Sequence, residues 1–251
     1  MVCLRRSGIQ IVGAGVRRLV DSKRLLFELE RNALRLIKKI GRKLIFRNHS
    51  YHNADKETLS YFLKENDIEL KRIDKLCKQE KIPFHYCSDF NETEFVNRVK
   101  ELSADAIVFT GGGLIRKPLL EATPKGILNC HMGILPMYRG MDLPEWAIIN
   151  DDFDQIGCSV HLMDSGVDTG PILSKYVVRP QRGDNVRRLR DRIEYHMPAV
   201  LVETAFKYFN NQITPQQQSL SEGKQFFTMA PMLYDLAEQK LSRAINPTIN
   251  K

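Results

Sequence analysis

Two polar residues that could act on a carbonyl group stand two positions apart in the segment NCHMGILPMYRG. They are Asn129 and His131, which follow the apolar run GIL. Alternate residues of a strand point to the same face, so a strand here would place the amide and the imidazole side by side, with Cys130 turned away. Both groups can donate hydrogen bonds to an oxygen that gains negative charge as a carbonyl carbon becomes tetrahedral. The pair therefore predicts chemistry at a carbonyl carbon.

A second segment, GCSVHLMDSGVDTGPIL at residues 157–173, supplies a carboxylate for the same chemistry. Beside His131, Asp168 would orient the imidazole, raise its pKa so that it is protonated, and receive or relay the proton that an amine nucleophile releases. Residue types alone leave the structural alternative open, because single histidines are often packed and Asp-rich turns are common in loops. His161, on an alternating strand, is expected to be a packed or hydrogen-bonded residue whose inward side could approach the site.

Together, the two segments resemble the 10-formyltetrahydrofolate-dependent formyltransferase family. The family's Asn-x-His pair, LLP-x-(Y/W)-RG segment and DxGxDTG loop correspond to Asn129 with His131, to residues 135–140 and to residues 164–170. The resemblance is strong over residues 107–173. It implies that 10-formyltetrahydrofolate gives its formyl group to a primary amine, with Asn129, His131 and Asp168 as the catalytic residues.

The resemblance also implies where the ligands bind. The pterin is expected against the glycine-rich segment and the loop that ends at Asp168, which gives the folate-binding set Gly111, Gly112, Gly113, Leu114, Ile115, Asp164 and Val167. Arg139 and Gly140 are the predicted substrate contacts, Arg139 through an acidic part of the folate or the acceptor. No nicotinamide is expected, because GAGVRR and GGGLIR both lack the third glycine of the dinucleotide fingerprint. No metal is expected, because His49 and His52 lack a third ligand nearby.

The elements that must position these residues alternate between strand and helix. The patterns predict strands in IQIVGAGV, through His85 to Cys87, and in AIVFT, GILNCH, GCSVHLMD and GPILSKYVVRP, and a long helix over residues 184–209. This alternation predicts an α/β, Rossmann-like, mostly parallel sheet flanked by helices, with ligands at the carboxyl ends of the strands. The resemblance implies that this sequence begins one element late, so that either the family's first strand is missing or the edge of the sheet is altered. We expect a catalytic domain over residues 1–210 and a C-terminal extension over 211–251.

A basic, amphipathic stretch at residues 16–47 accounts for the net charge of +8. Its apolar residues recur at three- and four-residue steps, which predicts a helix with one apolar stripe. The pattern favours a solvated basic face and leaves open peripheral membrane contact or phosphate binding. The five cysteines contain no CxxC pair, no apolar run is long enough to span a membrane, and we expect a cytoplasmic address.

The acceptor is expected to be a small amine that carries a phosphate, namely an amino sugar on a nucleotide or lipid carrier. Only about 70 residues follow Pro180, too few for the barrel domain that tRNA formyltransferases append, which argues against nucleic acid. Two alternatives remain: a formyltetrahydrofolate hydrolase, and a catalytically silent relative that binds nucleic acid or an anionic membrane. A homodimer is also left open.

Overall fold

The computed structural model describes residues 1–18, 56–111, 113–219 and 221–246. Eight helices in these ranges are α1 (Val2–Arg6), α2 (Lys56–Glu65), α3 (Ile73–Gln79), α4 (Thr93–Glu101), α5 (Lys117–Leu120), α6 (Leu143–Ile149), α7 (Val186–Phe209) and α8 (Pro231–Ile245). The strands are β1 (Ala14–Arg17), β2 (Phe84–Cys87), β3 (Ile107–Phe109), β4 (Ile127–His131), β5 (Tyr138–Gly140), β6 (Gly157–Leu162), β7 (Ile172–Val177) and β8 (Lys224–Phe226).

The strands form three sheets. Within the largest, in the order β3-β4-β6-β7, β3 and β4 are parallel, whereas β6 runs antiparallel to both β4 and β7. The smaller sheets pair β1 with β2 and β5 with β8, both in parallel. The predicted α/β alternation is confirmed, as is the antiparallel strand over GCSVHLMD. The predicted strands all form, although β1 is shorter than its apolar run.

A cavity of about 1250 Å³ separates the β1-β2 sheet from β3, and residues of all three strands line it. Parallel pairs therefore occur in three separate sheets, where the alternation alone suggests one sheet. Large side chains approach the glycines of the β1 segment: Leu102 lies against Gly13, and Phe95 lies against Gly15. The expectation that a first strand is missing stays a prediction.

The strand that carries Asn129 and His131 lies inside the largest sheet. Ile127 and Leu128 of β4 are buried, and α7 packs across β4, β6 and β7. Helix α7 begins after Asn185, whose side chain accepts a hydrogen bond from the Arg188 amide, as N-cap residues do. Strand β4 is thus held by its pairing with β3 and β6 and by its contact with α7.

The chain after α7 returns to the sheet. Strand β8 pairs with β5, and α8 packs against α6. Trp146 of α6 lies 5.3 Å from the ring of Phe226 and donates its indole N–H to the Phe227 carbonyl. The 210/211 domain division stays a prediction.

Most of the predicted basic helix lies outside the described residues. Of the stretch 16–47, only residues 16–18 are described, and Arg17 there belongs to β1. In the described parts of the chain, no helix is long and apolar enough to cross a bilayer.

Candidate active site

Asn129 and His131 end β4 and share one face of the strand, as predicted. The intervening Cys130 packs between two apolar clusters on the other face. A hydrogen bond with Cys158, together with burial, raises the pKa of the Cys130 thiol. Both effects disfavour the thiolate, which is the nucleophilic form of cysteine.

Asp168 reaches this pair from the loop between β6 and β7. Its Oδ2 accepts a hydrogen bond of 3.0 Å from the amide of Gly140. The loop itself is built around Asp164, whose carboxylate accepts hydrogen bonds from the Thr169 hydroxyl at 2.7 Å and from the Gly166 amide at 3.0 Å. Asp168 has a φ of 54°, a left-handed conformation in which Asp is tolerated better than most residues.

Two histidines flank the Asp168 carboxylate. Nδ1 of His131 lies 3.6 Å from Oδ2, and Nε2 of His161 lies 3.6 Å from Oδ1. The two imidazole rings are 6.2 Å apart and nearly perpendicular. These separations are longer than hydrogen bonds, but they put each imidazole in the field of the carboxylate. The structure thus brings Asn129, His131 and Asp168 together and adds His161.

His161 is the site residue whose position the sequence pattern indicates only weakly. It pairs directly with Asn129 across the β4-β6 ladder, and only 1% of its surface is exposed. Its Nε2 lies 3.2 Å from Nδ2 of Asn129, and its Nδ1 lies 3.0 Å from the Leu162 carbonyl. A neutral ring protonated on Nδ1 satisfies both contacts, because Nε2 then accepts from the Asn129 amide. The signal in the sequence is the alternation of Ser159 and His161 on one face of β6.

Burial controls the charge of both imidazoles. It lowers the pKa of His131, and this effect outweighs the opposing attraction of Asp168 and the backbone of Tyr138. Burial likewise lowers the pKa of His161, and the nearby His131 lowers it further. Asp168, 3.6 Å away, raises the pKa of His131 as expected, but burial lowers it by more, so the net direction favours the neutral imidazole.

One ring nitrogen of His131 is left without a partner in the described structure. Nε2 is buried and has no hydrogen-bond partner among the described residues, although buried polar atoms are normally paired. A Cβ at position 133 would lie 2.4 Å from Cδ1 of Leu143 and 3.1 Å from Nε2, so only glycine fits beside the imidazole. A reactive group that entered here would meet an imidazole able to accept a proton.

The residues expected to hold the folate differ in exposure. Leu114 and Val167 are exposed, whereas Ile115 packs into the core. The loop around Leu114 is held by Asn91, whose side chain donates to the Leu114 carbonyl and accepts from the amide of Arg116. Gly111 and Gly113 are described and Gly112 is not.

Arg139 and Gly140 occupy β5, beside the Asp168 loop. Gly140 has a φ of 105°, and a Cβ there would lie 2.0 Å from the Phe226 carbonyl oxygen, so this position requires glycine. Arg139 is only 6% exposed, and its Nε and Nη1 have no partner among the described residues. Buried guanidinium groups usually pair with an anion, so Arg139 has the chemistry of an anion contact.

Among the described residues, no group of His, Cys, Asp and Glu side chains is arranged to hold a metal.

Comparison with known proteins agrees with this geometry. The family model for formyl transferases matches residues 64–205, which is more than half of the chain and includes β4, β6 and the Asp168 loop. The protein therefore belongs to the formyl transferase family.

Among curated proteins, the chain resembles methionyl-tRNA formyltransferases. It is 31% identical to that of Trichlorobacter lovleyi over 151 residues, which is 60% of this chain and 48% of the relative. It is 33% identical to that of Caldanaerobacter subterraneus subsp. tengcongensis over 144 residues, which is 57% of this chain and 45% of the relative. The chain thus spans about half the length of the curated relatives it matches.

Two solved structures share the fold. The formyltransferase PseJ from Anoxybacillus kamchatkensis, in complex with UDP-4,6-dideoxy-4-formamido-L-AltNAc and tetrahydrofolate, aligns with a TM-score of 0.54 at 20% identity, covering 69% of this chain and 96% of that one. A sugar N-formyltransferase from a Shewanella species aligns with a TM-score of 0.53 at 16% identity, covering 74% of this chain and 85% of that one. At these identities the likeness shows the fold.

Proposed function

We propose that this protein transfers a formyl group from 10-formyltetrahydrofolate to a primary amine. The observation that carries the proposal is the meeting of Asn129, His131 and Asp168 at the end of β4, with Nε2 of His131 buried and without a partner in the described structure. A neutral imidazole backed by a carboxylate is suited to take a proton from an attacking amine. Family membership supports the same reaction.

In this reaction the amine nitrogen forms a bond to the formyl carbon, and the carbonyl oxygen becomes an oxyanion. The Asn129 amide is the proposed donor to that oxygen. Neutral His131 accepts the proton that the attacking nitrogen loses, and Asp168 stabilises the imidazolium that forms. The same proton then passes to N10 of the folate as the carbon–nitrogen bond to N10 breaks, which leaves tetrahydrofolate and the formylated amine. No residue is acylated.

The folate is proposed to lie between the glycine-rich segment and the Asp168 loop. Exposed Leu114 and Val167 offer apolar contacts to the flat pterin. Backbone groups of Gly111, Gly112, Gly113 and Ile115 are the other proposed contacts, while the Asp164 carboxylate is already engaged by Thr169 and Gly166. This assignment rests on the family resemblance and on the position of the Asp168 loop.

The proposed acceptor is an amino sugar that carries a phosphate or diphosphate, with Arg139 as the contact for the anionic group. The shared fold with two sugar formyltransferases and the buried, unpaired guanidinium nitrogens of Arg139 support this choice. A methionyl-tRNA acceptor is the second candidate, because the curated relatives named above are methionyl-tRNA formyltransferases. The cytoplasmic address remains a prediction.

A screen of acceptors tests the proposal. The protein is incubated with formyl-labelled 10-formyltetrahydrofolate and, separately, with nucleotide-linked amino sugars, glycinamide ribonucleotide or methionyl-tRNA, and products are followed by mass. We expect a gain of one formyl group on an amino sugar, and none with the His131→Asn variant. Release of formate with every acceptor would instead identify a hydrolase. No product and no formate, from protein that binds a reduced folate, would overturn the proposal.

A further inference from the structure

Gln218 contacts the Asp168 loop from a distant part of the chain. It lies between α7 and β8, and its Nε2 donates to the backbone carbonyl of Asp168 at 3.0 Å and to that of Gly170 at 2.5 Å. Both carbonyls belong to the loop that delivers the carboxylate to the two histidines. No motif in the sequence draws attention to this residue.

The environment of Gln218 fixes the orientation of its amide. Two carbonyl oxygens face Nε2, so the flipped amide would set oxygen against oxygen. The other amide atom, Oε1, is buried and has no partner among the described residues. The side chain is thus held by its two donated hydrogen bonds and by the position of its backbone.

The backbone around Gln218 is itself attached to the sheet. Gln216 exchanges two hydrogen bonds with Ile172, the first residue of β7, each of 2.8 Å. Further on, β8 pairs with β5, whose Gly140 amide binds the Asp168 carboxylate. The segment from residue 216 to 226, of which residue 220 is not described, therefore joins both strands next to the loop.

Asp168 needs such support because its backbone is left-handed, with a φ of 54°, a conformation that non-glycine residues seldom adopt. We propose that Gln218 is a positioning residue: by binding the carbonyls of Asp168 and Gly170, it keeps the Asp168 carboxylate between His131 and His161. This inference rests on the proposed formyl transfer, which it deepens by assigning a role to a residue outside the family-matched range 64–205.

The first test compares Gln218→Leu, which keeps the bulk without the donor, with Gln217→Ala, the matched control at the exposed neighbouring position. For Gln218→Leu we expect kcat to fall by about 10-fold to 100-fold, on the scale of a small misplacement of a catalytic group. The KM for the folate should rise by a smaller factor than kcat falls, because the loop supplies only part of the proposed folate contacts whereas Asp168 acts in the transition state. Gln217→Ala should match the parent. An unchanged kcat in Gln218→Leu would overturn the proposal.

A double-mutant cycle separates positioning from general destabilisation. If Gln218 acts through Asp168, then adding Gln218→Leu to Asp168→Asn should lower kcat by less than about twofold beyond Asp168→Asn alone. Independent effects that multiply would contradict the proposal.

Should Gln218→Leu fail to fold, Gln218→Glu provides the second variant. An ionised Glu facing two carbonyls cannot donate, whereas a protonated Glu can. Its activity relative to the parent should therefore rise as the pH falls from 8 to 5, and a flat ratio would count against a donor role.

Hydrogen exchange distinguishes failure of this inference from failure of the proposed function. In the protein without substrates, amides of residues 164–170 should exchange at least about 10-fold faster in Gln218→Leu than in Gln217→Ala, because the loop opens more readily. If no acceptor is formylated but this difference is seen, the proposed reaction is wrong and the support of the loop stands. Equal exchange in the two variants would show that Gln218 does not hold the loop.

Discussion

The amide of Gly140 donates a 3.0 Å hydrogen bond to Oδ2 of Asp168. The carboxylate that faces both histidines is therefore held by the backbone of β5, which in turn pairs with β8. The Gly140 amide is neutral, so it holds the Asp168 carboxylate without neutralising its charge. The negative charge therefore still acts on the two imidazoles. Gly140, predicted to be a substrate contact, binds the Asp168 loop in the structure.

Replacing Gly140 with Ala should disrupt this arrangement. The new Cβ would lie 2.0 Å from the Phe226 carbonyl oxygen, and the φ of 105° is unfavourable for any residue with a side chain. We expect a loss of roughly 2–4 kcal/mol in the free energy of unfolding, from overpacking and backbone strain together. Urea denaturation measures it.

Gly183→Ala is the matched control for this variant. Gly183 also has a positive φ, 88°, but a Cβ there would meet nothing within 4 Å. Only backbone strain remains, so its destabilisation should stay near about 1 kcal/mol. Equal losses in the two variants would show that the contact with Phe226 has no influence on stability.

His131→Asn should lower kcat by about 100-fold or more, within the usual range for general acid–base catalysis. The side chain becomes shorter and loses the nitrogen that accepts the proton, while the proposed folate contacts remain in place. Folate affinity, measured by calorimetry, should change by less than about threefold. A kcat within about twofold of the parent would refute the catalytic assignment.

Asp168→Asn should reduce kcat by at least about 10-fold and move the acid limb of the pH–rate profile to lower pH. The Asp168 charge raises the pKa of His131 against the larger effect of burial. Without that charge, the pKa falls further and the imidazole stays neutral to lower pH. A displacement toward alkaline pH would show that a protonated His131 is the active form.

The sequence predicted the part of the site that depends on local pattern. Period-two alternation put Asn129 and His131 on one face and Cys130 on the other, and the structure agrees. The charge of His131 was not accessible in this way, because it depends on how completely neighbouring elements exclude water. A sequence motif identifies the imidazole and the carboxylate, but it does not show how much water surrounds them.

Hydrogen bonds from side chains to distant backbone groups were the other feature that sequence patterns could not predict. Gln218 binds two carbonyl groups about fifty residues earlier in the chain, and every residue has a carbonyl, so no residue type marks the partner. The cavity between the β1-β2 sheet and β3 could not be predicted either. Strand–helix alternation predicts which strands form, but not which strands pair with each other.

His161 should make the stability of the protein depend on pH. Its pKa is lowered in the folded state by burial, so the unfolded chain takes up a proton as the pH falls through about 6.5 while the folded protein does not. The free energy of unfolding must then decrease below that pH. His161→Gln should flatten this decrease by up to about 1.4 kcal/mol per pH unit between pH 6 and 5. Parallel curves from urea denaturation of the two proteins would contradict a neutral, buried His161.

Arg139→Met should separate a ligand-binding role from a structural one. The guanidinium is buried, and its Nε and Nη1 have no partner in the described structure, so its desolvation is not compensated there. Met removes the buried charge and its desolvation cost but keeps an apolar side chain of similar length. We therefore expect the free energy of unfolding to be unchanged or to rise by about 1 kcal/mol. The KM for the anionic ligand should rise by about 10-fold to 100-fold, the value of a lost charged hydrogen bond.

Arg139→Lys refines that test, because Lys keeps the charge but not the planar array of donors. A KM between those of the parent and Arg139→Met would indicate recognition of a carboxylate or phosphate by the guanidinium. A destabilised Arg139→Met with an unchanged KM for folate and acceptor would show that Arg139 supports the fold and contacts neither.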